Sequence, residues 1–157
     1  MAALRLLIHA PGAPGMRWFG LGPGLQPSRG LLKLQCLFNK HAFWAQGRSH
    51  AQLRKLLAGS TVVVSLWQGK RLVGFGRASS DGIYRAVLWD VVVSGDLHGL
   101  GHGRRVVEAL LAAPALRGVE RTYLMTTNSA GFYEQLEFRN ADPQTLLVKF
   151  LSPATPP

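Results

Sequence analysis

The stretch VLWDVVVSGDLHGLGHGRRVVEALL, residues 87–111, carries the strongest structural signal in the chain. It begins with an apolar, β-branched run, passes through a turn dense in glycine, and ends in an amphipathic segment with a helical period. The sequence therefore predicts a buried strand, Tyr84–Val93, and a helix, Arg104–Ala113, joined by a glycine loop. Alternating glycines let a backbone approach a ligand closely.

The glycine loop predicts a binding site for a pyrophosphate. Gly99, Gly101 and Gly103 leave successive N–H groups pointing outward, and the following helix adds the positive end of its dipole. Arg104, in the first helical turn, suits a bound polyanion. A tight glycine turn without a ligand is the alternative.

Other glycine-loop and histidine motifs fit this stretch less well. A Walker A loop needs Gly-Lys-Ser/Thr, whereas Arg104 follows Gly103, and the dinucleotide fingerprint needs G-x-G-x-x-G rather than G-x-G-x-G. His98 and His102 are four residues apart but lack the intervening Glu of a zinc helix. The sequence predicts no metal site.

The flanking chain predicts a mixed α/β fold, with helices on the faces of one sheet. A period of two favours strands, whereas caps and a period near 3.6 favour helices. The predicted elements are an edge strand Trp18–Leu21, a helix from Ser28 to Asn39, a helix from Ser49 to Gly59, a hairpin of Thr61–Trp67 and Leu72–Ala78, a strand Val119–Met125, a helix from Thr126 to Leu136 and a last strand Thr145–Phe150.

Length and composition predict one globular domain. The chain has 157 residues, of which 47% are apolar and 17% charged. We expect an irregular Gly/Pro-rich leader at 1–24, a single domain at 25–151 and a flexible tail at 152–157. The one cysteine, Cys36, excludes a disulfide framework. We find no membrane-length apolar run, secretory pattern or Ser-rich transit composition, and expect a cytoplasmic protein without a membrane partner.

The positive charge is confined to the first half of the chain. Residues 1–80 hold 11 Lys and Arg and no acid, whereas residues 81–157 hold 7 bases and 8 acids. This half forms a solvated basic surface, a face for nucleic acid or an acidic partner, or a basic rim beside a small polyanion. Because no aromatic residues interleave a tight basic run, charge alone does not predict nucleic-acid binding.

Two segments resemble motifs of one enzyme superfamily. The run His98–Gly103 resembles the Q/R-x-x-G-x-G/A pyrophosphate signature of the GNAT N-acetyltransferases, and Gly131–Phe138 is similar to their FYxxLGF segment. The likeness covers about residues 25–150. The Trp-Asp-Val-Val-Val strand and the Leu-Phe-Asn-Lys helix look most like the plant plastid and cyanobacterial branch, which includes serotonin N-acetyltransferases and nuclear-shuttle-interacting proteins.

The resemblance implies a GNAT-like fold and acetyl-CoA as co-substrate. The fold would be a mostly antiparallel sheet of about six to seven strands, with splayed central parallel strands. The pantetheine would pair with the strand edge, and the pyrophosphate would meet the loop. The cofactor-binding residues would be Val91, Val92, Val93, His98, Gly99, Leu100, Gly101, His102, Gly103 and Arg104.

Four positions depart from the family pattern. His98 replaces Gln or Arg, His102 replaces an aliphatic residue, Glu137 replaces a glycine, and Thr126 stands where an Asn is frequent. None of these changes removes a backbone N–H, so pyrophosphate binding should survive. The precise position of the co-substrate is what they affect.

Asp90 is the predicted general base. An acceptor amine with a pKa near 10.4 is almost fully protonated at pH 7 and must lose a proton before it attacks. Asp90 lies between Trp89 and Val91, where we expect burial to raise its pKa. The resembled branch assigns the base role to the Asp of this motif. The alternative is a structural Asp at a strand irregularity, and Asp96 is a weaker rival.

Tyr133 matches the residue that the family uses as general acid for the leaving thiolate. The alternative is a core tyrosine beside Phe132. Amides of Val91–Val93 would stabilise the oxyanion if this strand splays from its neighbour.

The sequence predicts the acceptor less clearly than the co-substrate. Phe38, Phe43 and Trp44 suggest an aromatic pocket for an arylalkylamine, although aromatics at this spacing are more often core residues. A primary amine, either small or on a protein, is the predicted partner of acetyl-CoA, on a monomer or homodimer. A catalytically silent CoA-binding module and a basic nucleic-acid-binding domain remain alternatives.

Overall fold

The computed structural model describes residues 3–151. The chain separates into two compact units, which meet in sequence between Met125 and Thr126. The first unit holds the sheet and most helices, and the second holds one short helix. Within the described range, every helix is too short or too polar to cross a bilayer.

The sheet of the first unit has five strands in the order β1-β2-β3-β4-β5. The first four strands are antiparallel, and β5 pairs in parallel with β4. This arrangement confirms the predicted mixed, mostly antiparallel fold. The strands are β1 Leu4–His9, β2 Val62–Gln68, β3 Arg71–Ser80, β4 Arg85–Val93 and β5 Arg121–Tyr123.

Residues 3–151 form six α-helices, five in the first unit and one in the second. Ser49 begins α3 with a reciprocal capping box, in which its side chain accepts from the Gln52 amide while the Gln52 side chain accepts from the Ser49 amide. The helices are α1 Pro14–Phe19, α2 Gly30–His41, α3 His50–Ala58, α4 His102–Ala112, α5 Pro114–Arg117 and α6 Ala130–Glu134. Helix α4 thus begins two residues earlier than predicted.

The N-terminal segment differs from the predicted leader. Leu4–His9 forms β1 and pairs with the buried strand β2, which gives the short apolar run a partner. Trp18–Leu21, predicted as a strand, lies largely in and after α1, where Pro14 fixes the first helical turn. Gly20, with a φ of 60°, closes α1.

Among the described residues the sheet has five strands rather than six or seven, because two predicted strands, Trp18–Leu21 and Thr145–Phe150, are not strands and only one unpredicted strand, β1, is added. Thr145–Phe150 has no regular secondary structure in the described chain. Leu147 is 86% exposed and Val148 is 71% exposed, so the apolar pattern there does not report burial in a sheet. The predicted tail at 152–157 lies outside the described residues.

Helices pack on both faces of the sheet. Leu34 and Phe38 of α2 join Phe75 and Val92 in one buried cluster, with the rings of Phe38 and Phe75 edge to face at 5.5 Å. The opposite face meets α4 at Gly76. A Cβ atom at Gly76 would lie 2.8 Å from Val106 and 2.9 Å from Leu110, so this glycine permits the close approach of α4.

Candidate active site

Strand β4 contains a bulge at Asp90. Phe75 pairs with Val92, whereas Arg77 pairs with Trp89, so Asp90 and Val91 together oppose Gly76. The φ of Asp90 is 55°, in the left-handed region that residues other than glycine rarely adopt. A bulge re-aims side chains and interrupts pairing, and is frequent beside active sites.

The Asp90 carboxylate is held by three side chains. The Arg77 Nε atom donates to Oδ2 at 2.8 Å, Arg48 donates to Oδ1 at 3.2 Å, and the indole N–H of Trp44 donates to Oδ1 at 3.2 Å. A second Arg48 nitrogen lies 3.1 Å from Oδ2. Only 5% of the Asp90 side chain is exposed. This carboxylate is therefore charged, buried and fixed.

The pKa of Asp90 lies below the ordinary value, which corrects our expectation of a raised pKa. Burial alone would raise it, but the hydrogen bonds and positive charges of Arg48 and Arg77 outweigh the cost of burial. The sequence places these arginines 42 and 13 residues away, so their convergence is visible only in the fold. Asp90 is consequently an anion at neutral pH.

The parallel pairing of β4 with β5 is short. Their parallel pairing covers three residue pairs and ends at Val87 and Tyr123. Beyond Val87, that edge of β4 pairs with no strand in the described chain, and Val91, Val92 and Val93 lie on this stretch. The backbone groups on that side of the stretch are thus not used by a neighbouring strand of the described chain.

The glycine loop lies between this stretch of β4 and α4. Gly99 and Gly101 have φ values of 78° and 82°, and a Cβ atom at either position would meet no atom within 4 Å. In the part of the chain that the structure describes, the amides of Gly99, Leu100 and Gly101 have no backbone acceptor. These open, unpaired donors at the start of an 11-residue helix fit a pyrophosphate group.

The polar side chains of the loop are engaged locally. The His98 Nε2 atom lies 2.9 Å from the Val93 carbonyl oxygen, to which it donates. The Arg104 Nε atom lies 2.7 Å from Glu108, one helical turn later. His102 and Gly103, predicted in the loop, form the first turn of α4. The loop thus offers mainly backbone donors to a ligand.

Tyr133 lies in the second unit, on α6. Its ring contacts Phe132 at 4.9 Å and Phe138 at 5.8 Å between centroids. Burial raises the pKa of the Tyr133 hydroxyl. The role of Tyr133 as general acid stays a prediction.

The three aromatic residues considered for the acceptor pocket divide into two groups. Phe38 is 1% exposed and belongs to the core. Phe43 and Trp44 are 55% and 47% exposed, and their rings meet edge to face at 5.1 Å. Trp44 also bonds Asp90, so this exposed aromatic pair adjoins the buried carboxylate.

No group of three or more His, Cys, Asp or Glu that could hold a metal ion occurs among residues 3–151. Sequence reasoning missed Arg48 and Arg77 as partners of Asp90. Their signal was indirect: these bases belong to the half of the chain that has no acid of its own.

The fold and the site define a family. Residues 31–138 match the model of the acetyltransferase (GNAT) family, which is more than half of the chain, and this protein belongs to that family. A GNAT-family protein from Xanthomonas campestris has a similar structure, with a TM-score of 0.70, 23% identity, and coverage of 96% of this chain and 95% of that one. This likeness concerns the fold alone.

Curated relatives come from plants and algae. The chain is 38% identical over 107 residues to the chloroplastic serotonin N-acetyltransferase 2 of rice, which covers 63% of this chain and 52% of the rice protein. It is 36% identical over 87 residues to the chloroplastic GCN5-related N-acetyltransferase 2 of Arabidopsis thaliana, covering 55% of this chain and 33% of that protein. The matches therefore span about half or less of these relatives.

These relatives agree with the plastid and cyanobacterial branch suggested by the motifs. They also overturn one expectation. The rice and Arabidopsis proteins are named as chloroplastic, so the expected cytoplasmic location is wrong on this comparison.

Proposed function

We propose that this protein transfers the acetyl group of acetyl-CoA to a primary amine. The observation that carries the proposal is the arrangement along β4: a buried anion at the Asp90 bulge, an unpaired strand edge after it, and a loop of free amides at its end. The family resemblance implies one extended substrate, acetyl-CoA, with its acetyl group near the bulge, its pantetheine along the strand edge and its pyrophosphate on the loop.

The proposed reaction is a direct attack in a ternary complex. The ammonium form of the acceptor first loses one proton, and the neutral nitrogen then forms a bond to the thioester carbon. The bond from carbon to sulfur breaks, the nitrogen loses a second proton to solvent, and the thiolate leaves. Amides of Val91–Val93 would donate to the developing oxyanion. Tyr133 would give a proton to the leaving thiolate, for which its raised pKa keeps the hydroxyl protonated.

The contacts of Asp90 define how it would serve this reaction. Because its pKa is lowered, it holds a proton weakly and suits a fixed negative charge better than a strong base. Arg48 and Arg77 together outweigh the single negative charge of Asp90, so we propose that its carboxylate acts by orienting a water that takes the proton of the acceptor to solvent. Arg48 and Arg77 would keep the charge in place.

The exposed pair Phe43 and Trp44 supports an arylalkylamine as acceptor. Flat aromatic faces stack with another ring, and Trp44 donates to the carboxylate beside which the amine would react. A lysine side chain or protein N-terminus is the other candidate. The acid-free first half of the chain disfavours polyamines, which carry several positive charges.

The test is turnover with tryptamine, serotonin, a lysine peptide and spermidine, with the acetylated product measured by mass spectrometry. We expect the aryl amines to have the highest kcat/KM, and Trp44→Ala to reduce it for them more than for the lysine peptide. Asp90→Asn should lower kcat/KM at least tenfold for every acceptor. Equal rates with Asp90→Asn and wild type would contradict the role of Asp90.

A catalytically silent CoA-binding module is the second candidate. The observation in its favour is the lowered pKa of Asp90, which reduces its strength as a base. This candidate predicts that acetyl-CoA binds while no amine is acetylated. Binding without product across all four acceptor classes would replace the enzyme proposal with this one.

A further inference from the structure

A second concave site lies between α2 and the turn that joins β2 to β3. It is a cavity of about 540 Å³, which is within the range of small-molecule sites. We name it the α2–hairpin cavity. Its lining residues are Lys33, Cys36, Leu37, Lys40, His41, Gln68, Lys70, Arg71, Leu72 and Ser94.

This cavity is strongly cationic. Four of its lining residues are Lys or Arg, and none is Asp or Glu. All lining residues except Ser94 belong to the first 80 residues, which contain no acid. The unexplained basic half of the sequence therefore contributes most of the wall of one cavity.

One of these positive groups, the Lys33 ammonium, is held in place by two contacts. The Lys33 ammonium donates to the Lys70 carbonyl oxygen at 2.5 Å and lies 5.6 Å from the centre of the Trp67 ring. These contacts hold Lys33 against the turn that carries Lys70. Two like charges are thereby kept on one surface, which favours an anion that neutralises both.

The far wall is fixed by a network around Ser94. Arg71 donates to both carboxylate oxygens of Asp96, at 2.8 and 2.7 Å, and to the Ser94 hydroxyl at 2.8 Å. The His41 Nδ1 atom accepts from the Gly95 amide at 3.2 Å. Asp96 is thus already neutralised by Arg71, and the charges of Lys33, Lys40 and Lys70 have no carboxylate partner among the described residues.

The cavity shares no lining residue with the candidate active site. Asp90, its three partners and the loop His98–Gly103 are all absent from the wall. Ser94 directly follows β4, so the cavity adjoins the start of the segment that leads to the glycine loop. A ligand there would bind beside the acetyl-CoA route without occupying it.

We propose that the α2–hairpin cavity binds a small phosphorylated molecule, separate from acetyl-CoA. Lys33, Lys40 and Lys70 provide point charges for phosphate oxygens, as lysines do in other phosphate sites. Leu37 and Leu72 provide apolar surface for the remainder of the molecule. Of the ligands considered for the basic half of the chain, a small polyanion matches a cavity of about 540 Å³ better than a nucleic acid does.

Inorganic tripolyphosphate is the probe, and Cys36 is the reporter. Cys36 is the single cysteine of the chain, is exposed, and lines the cavity. We expect tripolyphosphate to slow maleimide labelling of Cys36 at least fivefold at saturation. Calorimetry on the same protein gives the dissociation constant.

The variants separate a built site from a diffuse charge effect. Lys40→Gln/Lys70→Gln should weaken tripolyphosphate binding at least tenfold, whereas Lys55→Gln, at an exposed position of α3 outside the cavity, should change it less than twofold. Gly101→Trp should leave binding intact. Matching melting temperatures among the variants verify that each one is folded.

Four results would overturn the proposal. The first is Cys36 labelling that tripolyphosphate leaves unchanged. The second is a Lys55→Gln variant that weakens binding as much as the double variant does. Loss of binding in Gly101→Trp would place the anion on the glycine loop. A single-stranded RNA that protects Cys36 more strongly than tripolyphosphate would assign the basic wall to nucleic acid. None of these results bears on amine acetylation, which is measured separately.

Discussion

The Arg77 Nε atom lies 2.8 Å from Asp90 Oδ2, and this contact joins two neighbouring strands across a β-bulge. Arg77 is on β3, and its guanidinium also lies 5.9 Å from the centre of the Trp89 ring. The side chain of Arg77 is 18% exposed. The guanidinium of Arg77 therefore both fixes the position of the Asp90 carboxylate and stabilises its ionised form.

The first prediction concerns the ionisation of Asp90. Arg77→Gln removes a hydrogen bond and a positive charge that lower the pKa of Asp90, so that pKa should rise. If the carboxylate form is needed, the acidic limb of kcat/KM against pH should move to higher pH. The measurement is a pH–rate profile with the best acceptor amine.

Arg85→Gln is the matched control, because Arg85 also lies in the sheet and pairs with an acid, Glu120, but does not contact Asp90. Its profile should match that of the wild type. An acidic limb that stays in place in Arg77→Gln would show that Asp90 ionisation does not control the rate.

The second prediction concerns the glycine loop. Acetyl-CoA at 100 times its dissociation constant stabilises a protein by about 2.7 kcal/mol. For a chain of this size that corresponds to a rise in melting temperature of roughly 5 to 11 °C. Gly101→Trp should abolish the rise, because a side chain at a φ of 82° strains the loop and covers its free amides.

Gly82→Trp is the control for backbone strain alone. Gly82 has a φ of 80° and the same open surroundings, but lies in the turn between β3 and β4. This variant should lose some stability and still gain the full rise with acetyl-CoA. A wild-type protein whose melting temperature does not respond to millimolar acetyl-CoA would contradict the assignment of the loop.

Much of the fold could be predicted because its signals are local. The hairpin of β2 and β3, the capped helix α3 and the passage from β4 through the glycines to α4 depend on neighbours in sequence. Helix α3 has Ser49 and Gln52 in a capping box, which any reader of the sequence can find. These elements were accordingly placed to within a few residues.

The remaining features depend on partners that are distant in sequence. Leu4–His9 becomes a strand because β2, over 50 residues later, offers it an edge. Thr145–Phe150 has the apolar pattern of a strand and no partner strand in the described chain. The pKa of Asp90 is lowered rather than raised partly because of Arg48, and no local sequence pattern connects Arg48 to Asp90. Strand pairing and ion pairing between residues that are distant in sequence could therefore not be predicted from local patterns.

The third prediction concerns the packing of α4 against the sheet at Gly76. Gly76→Ala would place a Cβ atom within 3 Å of Val106 and Leu110, and both side chains are fully buried. We expect a loss of about 1 to 3 kcal/mol in the free energy of unfolding, because α4 must shift away from the sheet. Since α4 begins at the glycine loop, the affinity for acetyl-CoA should also fall. Urea unfolding measures the stability, and calorimetry measures the affinity.

Gly118→Ala is the control for this substitution, since a Cβ atom there meets no atom within 4 Å. It should leave both the stability and the affinity close to those of the wild type. Gly76→Ala with wild-type stability would mean that Val106 and Leu110 move aside at no cost, and that α4 is not held by this contact.

The fourth prediction concerns His9, on β1. Burial lowers its pKa from 6.5 to about 4. Its Nε2 atom lies 2.7 Å from the Ser65 hydroxyl, whose oxygen accepts from the Trp67 indole at 2.8 Å. The neutral ring can accept the Ser65 hydroxyl proton, and protonation of His9 would remove that acceptor.

The pH dependence follows from this lowered pKa. Above pH 6.5 His9 is neutral in both the folded and unfolded chains, and its contribution to stability is complete. Between pH 6.5 and about 4 the unfolded chain takes up the proton first, so the free energy of unfolding should fall as pH falls. The loss reaches up to about 3 kcal/mol at pH 4.

His9→Gln isolates this contribution, because glutamine keeps a hydrogen-bonding group near Ser65 and does not titrate. Urea unfolding of both proteins from pH 7.5 to 4 gives the difference in stability at each pH. The wild type should lose stability relative to His9→Gln as the pH falls through that range. Carboxyl groups with lowered pKa values also lose stabilising charge at low pH, but they do so equally in both proteins. Parallel curves would show that His9 takes up its proton in the folded protein at its ordinary pKa, and that strand β1 does not bury it.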